Sequence, residues 1–256
     1  MTIPEPETYL ILGATSGFAR AVSQVLAERG CRLVLAGRNA KELQRLANDL
    51  RIRHQTAVEC AAFDALDFDA HAAFVQRSTQ LFDGGLDGLI LCYGYLAEQA
   101  QAQADVAEAR RTIDVNLTSA VSVLERFAEY FIDRRTARRP IIAAISSVAG
   151  DRGRQSNYIY GAAKAGLSAY LQGLRNRLFA AGVHVLTIKP GFVATAMTDG
   201  LVNPNSPLLA TPEQVARDID RAVGRRRNVL YTRWFWRPIM FVIRSIPEPI
   251  FKRLKL

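Results

Sequence analysis

Six short apolar runs alternate with longer amphipathic stretches along this chain of 256 residues. The runs are Tyr9–Leu12, Arg32–Ala36, Ala57–Ala62, Leu86–Cys92, Ile141–Ile145 and Val183–Ile188; stretches such as Phe18–Arg29 and Lys41–Leu50 fall between them with helical spacing. Strand–helix alternation of this kind folds into a parallel sheet covered on both faces. The expected fold class is therefore α/β, a doubly wound parallel sheet. No repeat or low-complexity linker interrupts the pattern. Ile132–Pro140 (IDRRTARRP) is expected to be a solvated loop before the fifth strand, and Asn203–Pro207 (NPNSP) a turn within a mobile segment.

The length suits one large domain with a substantial core. No signal peptide is legible in MTIPEPETYL, and no apolar run reaches the ~20 residues that span a bilayer. Cys31, Cys60 and Cys92 lack metal-ligand spacing, which suits a reduced, cytoplasmic setting. His54, His71 and His184 share no spacing either and are expected to be structural or surface residues. Of 33 basic and 24 acidic side chains, ten and one lie in residues 221–256, leaving 23 of each upstream. The whole excess of +9 thus sits in the tail. That speaks against a nucleic-acid-coating surface and for a local anion-facing segment. The expected division is a catalytic domain over residues 1–231 and a basic, apolar extension over 232–256.

Gly13, Thr15, Ser16, Gly17 and Phe18 belong to a turn that follows the first apolar run and opens a helix. Glycines let the backbone approach a pyrophosphate, and a helix N-terminus favours negative charge. The second run ends at Gly37-Arg38, without the acid that would bind a ribose 2′-hydroxyl; Arg38 accommodates a 2′-phosphate, so NADP is favoured over NAD. Tyr160 and Lys164 are four residues apart and share a helix face. A neighbouring ammonium is expected to lower the phenol pKa from its usual ~10, making the pair a general acid/base. Ser147, at a strand end, can polarise a carbonyl oxygen. Tyr158 is not the tyrosine of the pair, because Ala162 stands four residues on.

These residues, in this order, resemble the short-chain dehydrogenase/reductase family over nearly the whole chain. The resemblance implies a Rossmann fold and hydride transfer between a nicotinamide and a ketone or secondary alcohol. It implies a catalytic set of Asn116, Ser147, Tyr160 and Lys164, in which Asn116 holds a water that links the lysine to solvent. Lys164 would also hold the nicotinamide ribose. The family glycine motif appears as Gly13, Gly17 and Ala19, with Ala replacing the last Gly. Asp64 and Ala65 match the adenine-contacting pair. Of the stretch after the fourth strand only Gly94 is kept, in Leu91-Cys92-Tyr93-Gly94, and Tyr93 is expected to shape the nicotinamide pocket. Pro190, Gly191, Val193 and Thr195 match the segment that closes over the nicotinamide. The residues 196–210 are expected to shape the substrate pocket. A homodimer or homotetramer through helices near Asn116 and Tyr160 is implied by resemblance alone.

The tail is the second informative segment. On one helix, Arg233, Arg237 and Arg244 would fall at about 0°, 40° and 20°, opposite a face of Trp234, Phe235, Trp236, Ile239, Met240, Val242, Ile243 and Ile246. Such a helix suits an anionic membrane interface and a peripheral location on the inner face of the membrane. Equally, the segment could pack on the body, roof the pocket or fill a subunit interface. Pro238 would kink the helix or start a shorter one. The stretch SSVAGDRGRQSNYIYGAAKAGL and the tail FVIRSIPEPIFKRL resemble one branch of the family, the keto-sugar reductase paired with decaprenylphosphoryl-β-D-ribose oxidase. That implies a polyprenyl-phosphate keto-pentose as substrate. The alternatives are a reductase of a soluble ketone, steroid or acyl thioester, and a non-catalytic nucleotide-binding scaffold.

Overall fold

The computed structural model describes residues 5–134, 138–198, 200 and 202–254. Each of the six apolar runs contributes a strand: β1 (Thr8–Leu12), β2 (Arg32–Gly37), β3 (Val58–Ala62), β4 (Gly88–Leu91), β5 (Ile141–Ile145) and β6 (His184–Pro190). A seventh, β7 (Val229–Thr232), pairs with β6, and the order across the sheet is β3-β2-β1-β4-β5-β6-β7 with every neighbour parallel. The order reverses between β1 and β4. In open parallel sheets, ligands bind at the strand ends beside such a switch point.

The helices are α1 (Gly17–Glu28), α2 (Ala40–His54), α3 (His71–Ser78), α4 (Gln99–Ala104), α5 (Val106–Ile113), α6 (Ser119–Asp133), α7 (Tyr158–Leu178), α8 (Pro212–Gly224), α9 (Trp236–Ser245) and α10 (Glu248–Phe251). A π-helical segment, Asp114–Thr118, joins α5 to α6. Alternation along the strands divides the core in two. Tyr9 and Ile11 of β1 face α1, α2 and α8, while Leu10 and Leu12 face α3, α6 and α7. Ala19 is fully buried in the first of these layers, so the alanine in the glycine turn serves helix–strand packing.

Ile132 and Asp133 complete α6 rather than beginning a loop. Part of the expected basic loop, residues 135–137, lies outside the described residues. Arg138 bonds the buried carboxylate of Asp87 at 3.1 Å, so it is not a freely solvated side chain. Asn203–Pro207 does form a turn, closed by Ser206 N–H to the Asn203 carbonyl at 2.9 Å.

The tail does not form one helix from Arg233. Helix α9 starts at Trp236, and Pro238 sits in its first turn, where its missing N–H costs nothing. Arg233 lies before the helix, 3.8 Å from Asp218, so the expected arc of three arginines is broken. One face of α9 is buried: Trp236 and Met240 pack with Val148, flanked by Phe192, Tyr231, Phe235, Ile239 and Ile243. The opposite face leaves Phe241 and Val242 exposed, as is Trp234 in the turn before the helix. Arg152 fastens this helix. Its guanidinium reaches the carbonyls of Ile243, Arg244 and Ile246 at 2.8, 3.1 and 2.6 Å, bonds Glu248 at 2.8 Å and stacks 3.7 Å over Phe251. A cation there satisfies carbonyls that a helix C-terminus leaves unpaired.

Arg152→Met should therefore cost about 2 kcal/mol, the worth of a charge-assisted hydrogen-bond set, and should open the tail. Limited chymotrypsin digestion read by mass spectrometry should show faster cleavage within residues 234–254. Wild-type resistance in the variant would show that Arg152 does not hold the tail.

Candidate functional site

The strand ends at the switch point open into two connected clefts. The first, about 350 Å³, runs over the glycine turn and is lined by Gly13, Thr15, Ser16, Gly17, Phe18, Arg38, Asp64, Ala65, Gly94 and Thr195 among others. The second, about 130 Å³, holds Ser147, Tyr160, Lys164, Pro190, Gly191 and Val193. Phe18, Cys92, Tyr93, Gly94, Thr195 and Met197 line both. Every sequence-predicted site residue thus lines one cleft or the other, except Asn116, which is buried behind them.

The first cleft fits a dinucleotide. Gly13 has φ +80°, and a Cβ on it would stand 2.7 Å from the Tyr93 Cβ. Only glycine suits that backbone and that approach. Ser16 occupies the N-cap of α1, but its hydroxyl caps nothing and is buried without a partner. No acid occupies the first turn of α1. An unpaired hydroxyl beside a bare helix N-terminus is suited to phosphate oxygens. The Thr195 methyl would lie 3.4 Å from a Cβ on Gly17, so the segment after β6 already rests on the turn. At the far end, Gly37 has room for a side chain, its nearest neighbour being Leu43 at 3.7 Å, yet carries none beside the exposed Arg38. The Asp64 carboxylate accepts the Leu66 N–H at 3.0 Å, which holds the loop in shape.

Tyr93 is half-buried, with its hydroxyl 3.0 Å from Ser119 Oγ and its ring 5.5 Å from Phe63. It shapes the floor where the clefts meet. Sequence reasoning passed over Tyr95 and Arg111, which line the first cleft with the guanidinium 4.4 Å over the Tyr95 ring. No spacing signals them, because the loop after β4 and helix α5 bring them together only in three dimensions.

In the second cleft, α7 meets the end of β5 at very short range. The Ser146 hydroxyl bonds the Lys164 carbonyl at 2.9 Å, and Lys164 Nζ donates to the Ile145 carbonyl at 3.0 Å. Ser147 Oγ accepts the Ala149 N–H at 3.0 Å at the start of a 3-10 turn, Val148–Asp151. Tyr160 and Lys164 do share a face, with Nζ 5.7 Å from the phenol ring centre. The expected lowering of the phenol is not found. Burial pushes Tyr160 up to about 12, against a smaller opposite effect of the Ser147 side chain. Burial also pushes Lys164 down to about 7. Low dielectric penalises each charged form, phenolate and ammonium alike.

Asn116 lies in the π-helical segment, a distortion common at functional sites. Its amide donates to the Tyr95 and Thr112 carbonyls at 2.6 and 2.8 Å, and its Oδ1 accepts the Tyr95 N–H at 3.2 Å. It pins the Gly94–Tyr95 backbone rather than reaching toward solvent. A Cβ on Gly94 would fall 3.0 Å from Asn116 Oδ1 and 3.5 Å from Lys164 Nζ, so glycine lets the loop pass between them.

The tail packs behind Gly191, Phe192 and Val148, which line the same cleft. A Cβ on Gly191 would fall 1.9 Å from the Trp236 indole, which lies flat against that glycine. Phe192 packs edge-on to Trp236 at 5.7 Å. Tyr158 points elsewhere: it is exposed and accepts a bond from Gln103 at 2.7 Å. His71 bridges Ser122 and the Asp64 carbonyl, and His184 meets the Arg227 carbonyl, so both are structural.

Over residues 7–205 the chain matches the short chain dehydrogenase family. An uncharacterized oxidoreductase of Mycobacterium tuberculosis is 36% identical over 245 residues, covering 96% of each chain. Another, of Streptomyces coelicolor, is 32% identical over 250 residues, covering 97% of this chain and 96% of that one. A solved short-chain dehydrogenase from Sphingobium yanoikuyae in complex with NADPH is 25% identical, with TM-score 0.79 over 94% of this chain and 97% of that one. A 3-oxoacyl-[acyl-carrier protein] reductase of Brucella melitensis in complex with NAD shares the fold, with TM-score 0.80 at 21% identity over 90% of this chain and 96% of that one.

The buried lysine gives a signed pH dependence. Its folded value of about 7 lies below its ordinary 10.5, so the unfolded chain holds more protons between those values. Stability must then rise with pH across that window. Lys164→Met removes the charge penalty and should raise Tm at pH 6 by on the order of 5 °C. The advantage should shrink as pH rises from 7 toward 10.5. Thermal melts in which the gap stays constant with pH, or widens, would mean that Lys164 titrates normally.

Proposed function

We propose, for a chain that belongs to the short-chain dehydrogenase/reductase family and is an oxidoreductase of that family, that it is an NADP(H)-dependent reductase of a ketone. One observation carries the reading. Ser147, Tyr160 and Lys164 converge on a single cleft that is continuous with a phosphate-suited turn. NADP would be held by the turn from Gly13 to Phe18, by Arg38 at a 2′-phosphate, by Asp64 and Ala65 at the adenine, and by Gly94, Pro190, Gly191, Val193 and Thr195 toward the nicotinamide. When bound and reduced, it supplies hydride to the carbonyl carbon.

The protein's own residues handle the oxygen. The Ser147 hydroxyl binds and polarises the carbonyl oxygen. Tyr160 then donates its proton to the same oxygen as negative charge develops there. A phenol raised to about 12 stays protonated at neutral pH, which suits a proton donor and hence the reductive direction. Lys164, near 7, can return a proton to the phenolate and can hold the ribose hydroxyls. Asn116 acts as a positioning residue through the Gly94–Tyr95 backbone.

The substrate we infer is a ketone on a lipid carrier, such as a polyprenyl-phosphate keto-pentose. Its support is the two-sided tail: one face packs through Trp236 on Gly191, which lines the cleft, while Trp234 before α9 and Phe241 and Val242 on its other face are presented beside Arg237 and Arg244 to the surroundings. Such a face suits an anionic membrane interface. Among the described residues no helix is long and apolar enough to cross a membrane. The seating of Trp236 on Gly191 also favours a second reading, in which a soluble ketone, steroid or acyl thioester is reduced and the tail merely covers the pocket. We infer a homodimer or homotetramer through α6 and α7; exposed Phe179, at the end of α7, supports an apolar contact there.

Tyr160→Phe should lower kcat/KM for NADPH-dependent ketone reduction by at least ~100-fold, the scale of a lost general acid, with NADPH affinity kept within a few-fold. Unchanged turnover would remove Tyr160 from the chemistry. A Trp234→Ser/Phe241→Ser double variant keeps the buried face of α9 and should lose sedimentation with anionic vesicles. Equal sedimentation of variant and wild type would favour the pocket-covering tail.

A further inference from the structure

The turn between Asp151 and α7 carries two polar groups that the reaction described above does not use. Arg154 and Asn157 both line the cleft that holds Ser147, Tyr160 and Lys164. Arg154 Nε and Asn157 Oδ1 are each buried without a hydrogen-bond partner. Asn157 stands at the N-cap of α7, yet its side chain makes no capping bond. It therefore gives up the role its residue type most often plays there.

The nearest acid does not neutralise Arg154. Asp151 is already committed to Lys189 on one oxygen and to the Tyr231 hydroxyl at 2.8 Å on the other. It acts on Arg154 only through space, and burial lowers the guanidinium despite it. Among the described residues no carboxylate forms an ion pair with Arg154. A half-buried arginine without a counter-charge is costly to keep and is seldom retained for stability. Its planar fork is built to bind carboxylate or phosphate. Lys164 Nζ, in the same cleft, already donates to the Ile145 carbonyl at 3.0 Å.

We propose that Arg154 is a specificity-determining residue that binds an anionic group, phosphate or carboxylate, carried by the carbonyl substrate itself, with Asn157 accepting a hydrogen bond from a neighbouring hydroxyl. The proposal rests on the oxidoreductase reading of this cleft and adds to it the chemical class of the substrate. The anion is distinct from the cofactor phosphates, which belong to the glycine turn in the other cleft.

Binding tests this without requiring turnover. Full-length protein saturated with NADP is titrated, by tryptophan fluorescence at fixed salt, with two pairs of probes. Dihydroxyacetone phosphate against dihydroxyacetone tests a free substrate, and farnesyl phosphate against farnesol a lipid-linked one. The phosphate member of at least one pair should bind wild type at least tenfold tighter than its neutral partner. Arg154→Gln should abolish that preference while binding the neutral member unchanged, and Arg154→Lys should restore part of it. Melting curves check that both variants are folded. The pair that shows the preference identifies the source of the anion. Wild type that binds neither phosphate probe preferentially, or an Arg154→Gln variant that keeps the preference, overturns the proposal. NADPH oxidation is scored separately. Arg154-dependent binding without turnover of any ketone would sink the reductase reading and leave the anion site standing. Turnover of a phosphate-bearing ketone that is unchanged in Arg154→Gln would do the reverse.

Discussion

Helix α7 lies against the end of β5 so closely that two glycines are obligatory. A Cβ on Gly150 would stand 2.6 Å from the Ala165 nitrogen, and one on Gly161 would stand 2.9 Å from the Ala149 carbonyl oxygen. The Ser146 and Lys164 hydrogen bonds then lock helix to strand. Everything at the site follows from this junction. It buries the lysine, sets Ser147 beside the phenol, and leaves Arg154 and Asn157 on the short turn that leads into the helix. A looser junction would admit water and return both titrating groups toward their solution values.

Burial at that junction sets the protonation of the two titrating side chains. Four-residue spacing alone suggests an ammonium that draws the phenol down, which would suit either direction. Burial reverses the balance, because it disfavours phenolate and ammonium alike. The site therefore rests with a protonated phenol and a readily titrated amine. That pairing supports the proposed role of Tyr160 as a proton donor.

Much of this was legible in the sequence, for identifiable reasons. The central runs became strands because parallel strands buried on both faces must be apolar throughout, and the edge run of β3 followed from the strand–helix alternation. The glycine turn, Ser147, Tyr160 and Lys164 were legible because their chemistry depends on short local spacings. β7 was missed because Val229–Thr232 is only four residues long, follows a run of arginines and has its first residue exposed. A helix from Arg233 was expected on periodicity, but Asp218 holds Arg233 outside it and Pro238 fixes the first turn. Arg152, Trp236 against Gly191, and the unpaired Arg154 left no local signal at all. They depend on contacts between segments ~40 to 95 residues apart, which only the folded chain brings together.

The tail packs on the segment that follows β6 and on the turn that follows β5. Trp236 replaces solvent on one side of Gly191, and Arg152 ties the end of α9 to the turn that carries Ser147. The protonation state of Tyr160 is accordingly the quantity on which the account turns. Phenolate absorbance near 295 nm, taken as the difference between wild type and Tyr160→Phe across pH 6 to 10, measures it directly. The account predicts no ionisation attributable to Tyr160 in that range, whereas a phenolate signal with a midpoint near pH 7 would contradict it.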